Sequence, residues 1–422
     1  MEHVRRDRGP LVVLFVVLAL FAADQIRLYR AMRSGQSRTD LERWMPIAAG
    51  FLSMPGAALY ERHPDYLYPP WFLLLVYPFR FLPLSVAAFL AQTIKWAALL
   101  ACIRWVFDLA AAPPRRLIAP AAAIGSLLCS LRFFINEMAE LNVNMLILCA
   151  VIGAARLVCS GRAAWAGFVL ALVCAVKVTP GLVVLYFLYK GQWRILMGVA
   201  LGLLLTCVAL PAAAVGLDDG IAALRGWYDH VISDFLSSGR VYSPHFNQSL
   251  TGWLNRLFTP AVAIEPDTPV TLVVLSPATL TALRAALAAG VLAVVIVAVR
   301  PRPGADRPPA MLAELGLVLI AMLLLSGYSW KAHYVALFPG YAAALASLFG
   351  DRPARRRRLI AALVVVSFVL CTLTCDLIGP RLADRAEAYG LIMFGAAGLA
   401  TALIVIRAET FSRAPGTGRI KR

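Results

Sequence analysis

The chain has 422 residues, a formal charge of +17, 61% hydrophobic residues and 15% charged residues. Soluble globular chains run at about 45–50% apolar and about 25% charged, so the composition excludes a water-soluble enzyme carrying a membrane tag. The basic residues fall mainly in short links between apolar runs, and no basic domain interleaved with aromatics exists, which argues against nucleic acid as a partner.

The first apolar run, Leu11 to Ala23, follows Arg5, Arg6 and Arg8 as the core of a signal peptide would. No small-residue cleavage motif follows it, and Arg27 and Arg30 come directly after, so the expectation is a retained first helix with a cytoplasmic N-terminus. Expected crossings are Leu11 to Leu28, Leu84 to Phe107, Leu117 to Ile135 and Val143 to Val158, followed by the short pair Ala163 to Val176 and Gly181 to Tyr189. Then come Ile195 to Val215, Leu280 to Val299, Pro309 to Leu325, Tyr334 to Leu348, Leu359 to Cys375 and Ala388 to Ile406. The reading is therefore an all-α polytopic membrane protein of about twelve helices. A single transmembrane domain covers residues 1–408, and residues 409–422 form a basic cytoplasmic tail.

Charge supports this parity, because cytoplasmic links collect Lys and Arg. The expected inner links hold Arg115 and Arg116, Arg156 and Arg162, Lys190 and Arg194, Arg300, Arg302 and Arg307, the Arg355 to Arg358 run, and the Arg413 to Arg422 tail. Arg30, Arg33, Arg38 and Arg43 lie in the first outer loop, but long loops weigh little in this rule. Each half of the pair around Lys177 and Pro180 is too short to cross about 30 Å of hydrocarbon. A broken hairpin is tolerated where its backbone is buried in protein or lines a cavity, and Lys177 then sits at a helix break.

Two outer loops stand out by length, about residues 29–83 and 216–273, and both are too aromatic for disorder. In the first, Leu41, Trp44, Ala48 and Phe51 share one helical face, as in an interfacial helix opening at Asp40. Thr39 or Asp40 there is either an N-cap or a desolvated carboxylate with a pKa raised toward general-base range. Tyr66 to Trp71, with Tyr68, reads as an aromatic belt and turn, since its paired prolines cannot continue a helix.

The second loop carries Ser243 to Leu250, with His245, Asn247 and Gln248, and then Arg256. This is either a solvated loop or a hydrogen-bonding site for a hydroxyl-rich or phosphate-bearing ligand. Lys331 and His333, between two crossings, form either an anion site at a helix start or a structural pair. Asp24 and Lys95 are ionisable residues within apolar runs, which are functional candidates unless they snorkel or pair. The eight cysteines are scattered and suggest neither disulfides nor a zinc site.

Assembled in order, these residues resemble the bacterial polyprenol-phosphate-mannose-dependent mannosyltransferases, glycosyltransferase family 87 of the GT-C superfamily. The likeness runs from Asp40-Leu41 through Gly56-Ala-Ala-Leu-Tyr60, Tyr68-Pro-Pro70, Asn144, Lys177-Val-Thr-Pro180 and Asn247-Gln-Ser-Leu250 to Lys331-Ala-His-Tyr334. Where the family often has Gly-Gln ahead of the asparagine, this chain has Leu141-Asn142.

The resemblance implies a polyprenyl-phosphate-linked sugar donor, a lipid or glycan acceptor, and an extracytoplasmic active site in a multi-pass protein of the bacterial inner membrane. It implies Asp40 as catalytic base, with His333 assisting it or the acceptor. Lys177, Lys331 and His333 are the implied candidates to stabilise the leaving phosphate; the polar-loop reading adds Arg256 as an expected donor-phosphate ligand, and Tyr68, His245, Asn247, Gln248 and Asn144 are the expected substrate contacts. No cofactor is implied, and Asp40-Leu-Glu42 alone does not make a metal site. The competing readings are a lipid or solute transporter, for which no internal repeat is visible, and a transferase with a different lipid-linked sugar.

Overall fold

In hydrocarbon every backbone N–H and C=O must find its partner inside the chain, so long apolar runs become helices. The computed structural model describes residues 9–35, 39–111, 117–233, 241–264, 268–301, 307–375 and 378–412. Arg5, Arg6, Arg8, Arg38, Arg115, Arg116, Arg302 and the tail from residue 413, all named above for topology, lie outside the described residues.

Each of the expected apolar runs is helical. The long ones appear as Gly9–Arg33, Leu84–Ala110, Pro120–Glu140, Ile195–Val215, Pro277–Ala298, Pro308–Leu325, Ala354–Thr372 and Leu391–Ser412. The shorter ones are Asn144–Cys159, Ala163–Cys174, Gly181–Tyr189 and Phe338–Leu348. Among the described residues, 6 helices are long and apolar enough to cross a membrane. At the third run, expected over Leu117 to Ile135, the helix spans Pro120 to Glu140. Apolarity alone hid the end of that helix, because Asn136, Glu137 and Glu140 continue it through polar residues.

Burial separates the centre from the rim. In Pro308–Leu325 61% of the spanning window is buried, whereas in Pro277–Ala298 only 6% is, at a hydropathy of 2.3. An uncovered apolar helix of that length is untenable in water and is at home against lipid chains. The chain is an all-helical multi-pass membrane protein with one small addition, an antiparallel ribbon pairing Val262–Ile264 with Thr268–Pro269.

The central helix carries a buried carboxylate, Glu314, which Lys190 meets at 3.2 Å and Tyr186 bonds at 2.7 Å, with Arg407 as a further partner. Intramembrane Asp24, a functional candidate by sequence, is tied across helices by Trp96 Nε1 at 2.8 Å and by Gln92, and Arg27 lies 2.9 Å away. It acts as a clamp between the Gly9–Arg33 and Leu84–Ala110 helices.

Where the helices Ala163–Cys174 and Ile195–Leu203 cross, small residues let their backbones touch. A Cβ on Gly198 would stand 1.8 Å from the Ala164 carbonyl oxygen. Gly198→Ala is therefore expected to lower stability by about 1–3 kcal/mol by wedging the pair apart. Gly290→Ala, which meets open space, should leave the protein unchanged or up to about 1 kcal/mol more stable. Thermal unfolding of both variants in the same detergent checks the contrast; equal midpoints would remove the close-packing argument.

The described parts of the two long loops are structured and dock on each other. The first holds Asp40–Phe51, Leu59–Arg62 and Pro70–Val76, and the second holds Leu217–Trp227 and Leu250–Phe258. Gly56 N donates to Asp219 Oδ1 at 2.9 Å and Trp227 Nε1 to the Leu67 carbonyl at 3.2 Å, while His230 lies 2.8 Å from the Pro64 carbonyl. The expected interfacial face of the first loop helix is the buried one: Leu41, Trp44, Ala48 and Phe51.

Candidate active site

The site begins at the first residue of the Asp40–Phe51 helix. Thr39 occupies the N-cap position, and neither side chain caps the helix. The Asp40 carboxylate instead accepts a hydrogen bond from Asn142 Nδ2 across 102 residues of sequence, with Arg43 3.8 Å away. Burial raises the Asp40 pKa above the ordinary carboxylate range, against the lowering pull of Arg43, Asn142 and Lys177.

Asn142 sits in a tight turn between the Pro120–Glu140 and Asn144–Cys159 helices. The turn is made possible by Leu141, the one non-glycine among the described residues with positive φ, at φ 50° and ψ 34°. That conformation costs a side-chain-bearing residue about 1–2 kcal/mol, and a glycine adopts it freely. Leu141 is 4% exposed, and burying its side chain contributes about 1.5–3 kcal/mol, enough to offset the strain. A leucine can thus hold a left-handed turn, and the turn presents its next side chain to Asp40.

From Asn142 a chain of amides leads to a cation. Asn142 Oδ1 accepts from Asn144 Nδ2 at 2.8 Å, and Asn144 Oδ1 accepts from Lys177 Nζ at 2.8 Å. Lys177 lies in the break between the 12-residue and 9-residue helices of the short pair, about 18 Å and about 14 Å long. Its amine lies 3.0 Å from His333 Nε2 and 5.7 Å from the centre of the Tyr68 ring. Burial draws Lys177 down to about 8, opposed by Glu137 and Asp40, and pushes His333 well below its ordinary value. Tyr68 stacks on Phe72 and meets Trp44 edge-on, and burial holds its hydroxyl well above the usual range. Asp40, Tyr68, Asn144, Lys177 and His333 are thus brought together.

The remaining expected ligands form a neighbouring scaffold. Arg256 is fully buried and donates to the carbonyls of Ala388 at 3.0 Å, Pro244 at 3.0 Å and Asn247 at 2.7 Å. Lys331 is paired with Glu387 at 2.7 Å, a carboxylate that also meets Arg132 at 3.4 Å. Asn247 and Gln248, both 0% exposed, bond the backbone of the 327–329 segment: Asn247 Nδ2 meets the Gly327 carbonyl at 3.1 Å, and Gln248 N meets the Ser329 carbonyl at 2.5 Å. His245 lies 3.3 Å from Asp384. These residues fix the loop that delivers His333 and do not line the Lys177 cleft.

Sequence reasoning missed Glu137 and Asn142. Glu137 is fully buried and pairs with Lys95 at 3.3 Å, which gives that intramembrane lysine its partner. Its other contacts come from Asn144 Nδ2 and the Met145 amide, each at 3.1 Å, so it anchors the amide bridge from behind. The available signal was a lone carboxylate flanked by Phe133, Phe134, Ile135 and Met138, where an ionisable residue is functional by default. Among the described residues no group of three or more His, Cys, Asp and Glu gathers to hold a metal.

The sequence profile of glycosyltransferase family 87 matches residues 66–327. That span contains Glu137, Asn142, Asn144 and Lys177, while Asp40 and His333 fall on either side of it. A curated relative from Mycolicibacterium smegmatis, a polyprenol-phosphate-mannose-dependent alpha-(1-2)-phosphatidylinositol pentamannoside mannosyltransferase, is 27% identical over 345 residues, 78% of this chain and 74% of its own length. No solved structure matches. With well over half of its length covered by the profile, the chain belongs to glycosyltransferase family 87.

Proposed function

We propose that the protein transfers a sugar, mannose in the first instance, from a polyprenyl-phosphate carrier to a hydroxyl group of a lipid or glycan acceptor, with inversion at the anomeric carbon. The reading places the enzyme in a bacterial inner membrane with about twelve crossings, both termini in the cytoplasm, and the two docked loops with the site on the outer side. The observation that carries it is the amide bridge that joins Asp40 to Lys177 through Asn142 and Asn144. A base and a cation held by one rigid link suit a displacement in which a proton leaves the nucleophile while negative charge grows on the leaving group.

Asp40 takes the proton of the acceptor hydroxyl as that oxygen attacks the anomeric carbon. The bond to the phosphate oxygen breaks on the opposite face, and the leaving phosphate goes from one negative charge as a diester to two as a monoester. A cation beside it interacts more strongly with the transition state than with the bound donor, which is what accelerates the step. Lys177 is that cation. His333 orients its amine, and the Tyr68, Phe72 and Trp44 cluster forms an aromatic wall for the sugar. Lys331, Arg256, His245, Asn247 and Gln248 support the loop that carries His333.

The purified protein is expected to release radiolabelled sugar from polyprenyl-phosphate mannose to a membrane-lipid acceptor extract. Polyprenyl-phosphate glucose, offered in parallel, tests the sugar. Transfer from glucose alone would change the assignment of donor while keeping the chemistry, and transfer from neither would remove the reading.

A further inference from the structure

The contact between Lys177 and His333 is unusual in its proton arrangement. The backbone N–H of Trp330 points at His333 Nδ1 at 3.1 Å. A ring nitrogen that accepts a hydrogen bond carries no proton, so the imidazole is neutral and its single proton lies on Nε2. Nε2 faces Lys177 Nζ at 3.0 Å. An N–H can bond to the lone pair of an amine, but an ammonium has no lone pair and would turn its own hydrogens against that proton. The free amine satisfies both neighbours, accepting from His333 and donating to Asn144 Oδ1 at 2.8 Å. The geometry is that of a deprotonated lysine.

Resting on the donor assignment above, we propose that Lys177 is a proton-linked phosphate receptor: at alkaline pH an uncharged amine held against His333 when the site is empty of donor, and an ammonium once the donor phosphate binds. The proton comes from solvent and adds to the Nζ lone pair, while His333 keeps its own proton on Nε2. The ring swings its Nε2–H to a phosphate oxygen, so amine and imidazole both face the ligand as donors.

The surroundings suit such a switch. Burial disfavours the charged lysine, and the Pro308–Leu325 helix offers only apolar Leu319 and Met322 to the cleft. Opposing this, Asp40 from the first loop helix and Glu137 from the Pro120–Glu140 helix favour the ammonium. Tyr68 remains a neutral phenol beneath the amine. Burial outweighs the two carboxylates, and an added phosphate charge beside the amine shifts the balance toward the ammonium.

The donor is a phosphodiester, which stays singly charged from acid to strongly alkaline pH, so any proton taken up on binding is the protein's. Because the bound state favours the ammonium, the lysine titrates at higher pH with donor than without it. Between the two values each donor brings in one proton, and its affinity falls about tenfold per pH unit.

The test is calorimetric binding of a short-chain polyprenyl phosphomannose to the full chain in detergent, without acceptor, in two buffers of unlike ionisation enthalpy. Uptake of close to one proton per donor is expected at about pH 9, and little at about pH 6. Lys177→Arg, charged at every accessible pH, should bind the donor with no uptake and a flat pH profile. His333→Gln offers a carbonyl that accepts from an ammonium, so the alkaline rise in donor KM should move to higher pH. A merely structural histidine would weaken binding equally at all pH values and leave the profile in place. Donor binding and transfer by the wild type with no uptake at about pH 9 would overturn the proton linkage alone. Absence of donor binding at every pH would overturn the donor assignment together with it.

Discussion

Asp40→Asn is expected to lower sugar transfer by about 10²–10⁴-fold, the usual contribution of a positioned base, while the protein stays folded. Asparagine preserves the shape of the side chain and can still meet Asn142 through its carbonyl oxygen, but it cannot take a proton. The loss should fall on kcat and on kcat/KM together, because donor binding does not need the base. Burial holds Asp40 above the ordinary carboxylate range, and the base works only when ionised. Activity of the wild type is therefore expected to fall as pH drops through that raised value, at a pH higher than an exposed aspartate would give. Transfer rate against pH, with thermal unfolding as the fold control, checks both points. Full activity of Asp40→Asn would remove Asp40 as base, and an acid limb that persists in a partly active variant would assign it to another group.

Much of the scaffold is legible in the chain because lipid imposes a simple rule on apolar runs, and the helix break at Lys177-Val-Thr-Pro180 follows from length and proline alone. The buried face of the first loop helix is equally plain, since Leu41, Trp44, Ala48 and Phe51 recur at helical spacing. Polar partnerships across the chain are a different matter. Asp40 meets Asn142 across 102 residues and Lys177 meets His333 across 156. No local pattern announces either pair; only the order of weak motifs along the chain hinted that they share a site. Arg256 and Lys331 show the converse difficulty. A cation in a polar loop looks like a phosphate ligand until its neighbours are known, and the carbonyls around Arg256 and the Glu387 carboxylate beside Lys331 come from far along the chain. Leu141 was unreadable for another reason: sequence gives no warning that a leucine occupies a left-handed turn, and only its burial explains why it can.

Glu137 links the membrane core to the site, and its removal should separate stability from activity. Lys95 and Glu137 are 3% and 0% exposed, so Glu137→Leu leaves a buried ammonium without its partner and is expected to cost about 3–5 kcal/mol. Removing the charge on both sides, as Lys95→Met with Glu137→Gln, should recover most of that loss, because a buried ion pair is often replaced at little net cost. Activity should not return with it. The carboxylate accepts from both Asn144 Nδ2 and the Met145 amide, whereas a glutamine in its place has one carbonyl oxygen, with an NH₂ group turned against one of the two donors. The Asn144 side chain then loses its fixed orientation, and with it the placement of Lys177 on one side and Asn142 on the other. Transfer by the double variant is expected to remain at least about 10-fold below wild type, a barrier increase of about 1.4 kcal/mol, at near-native thermal stability. If activity recovers in step with the unfolding midpoint, Glu137 serves only to hold the helices together. If it stays low in a stable protein, the same buried carboxylate that neutralises a membrane lysine also sets the geometry of the base and the phosphate cation.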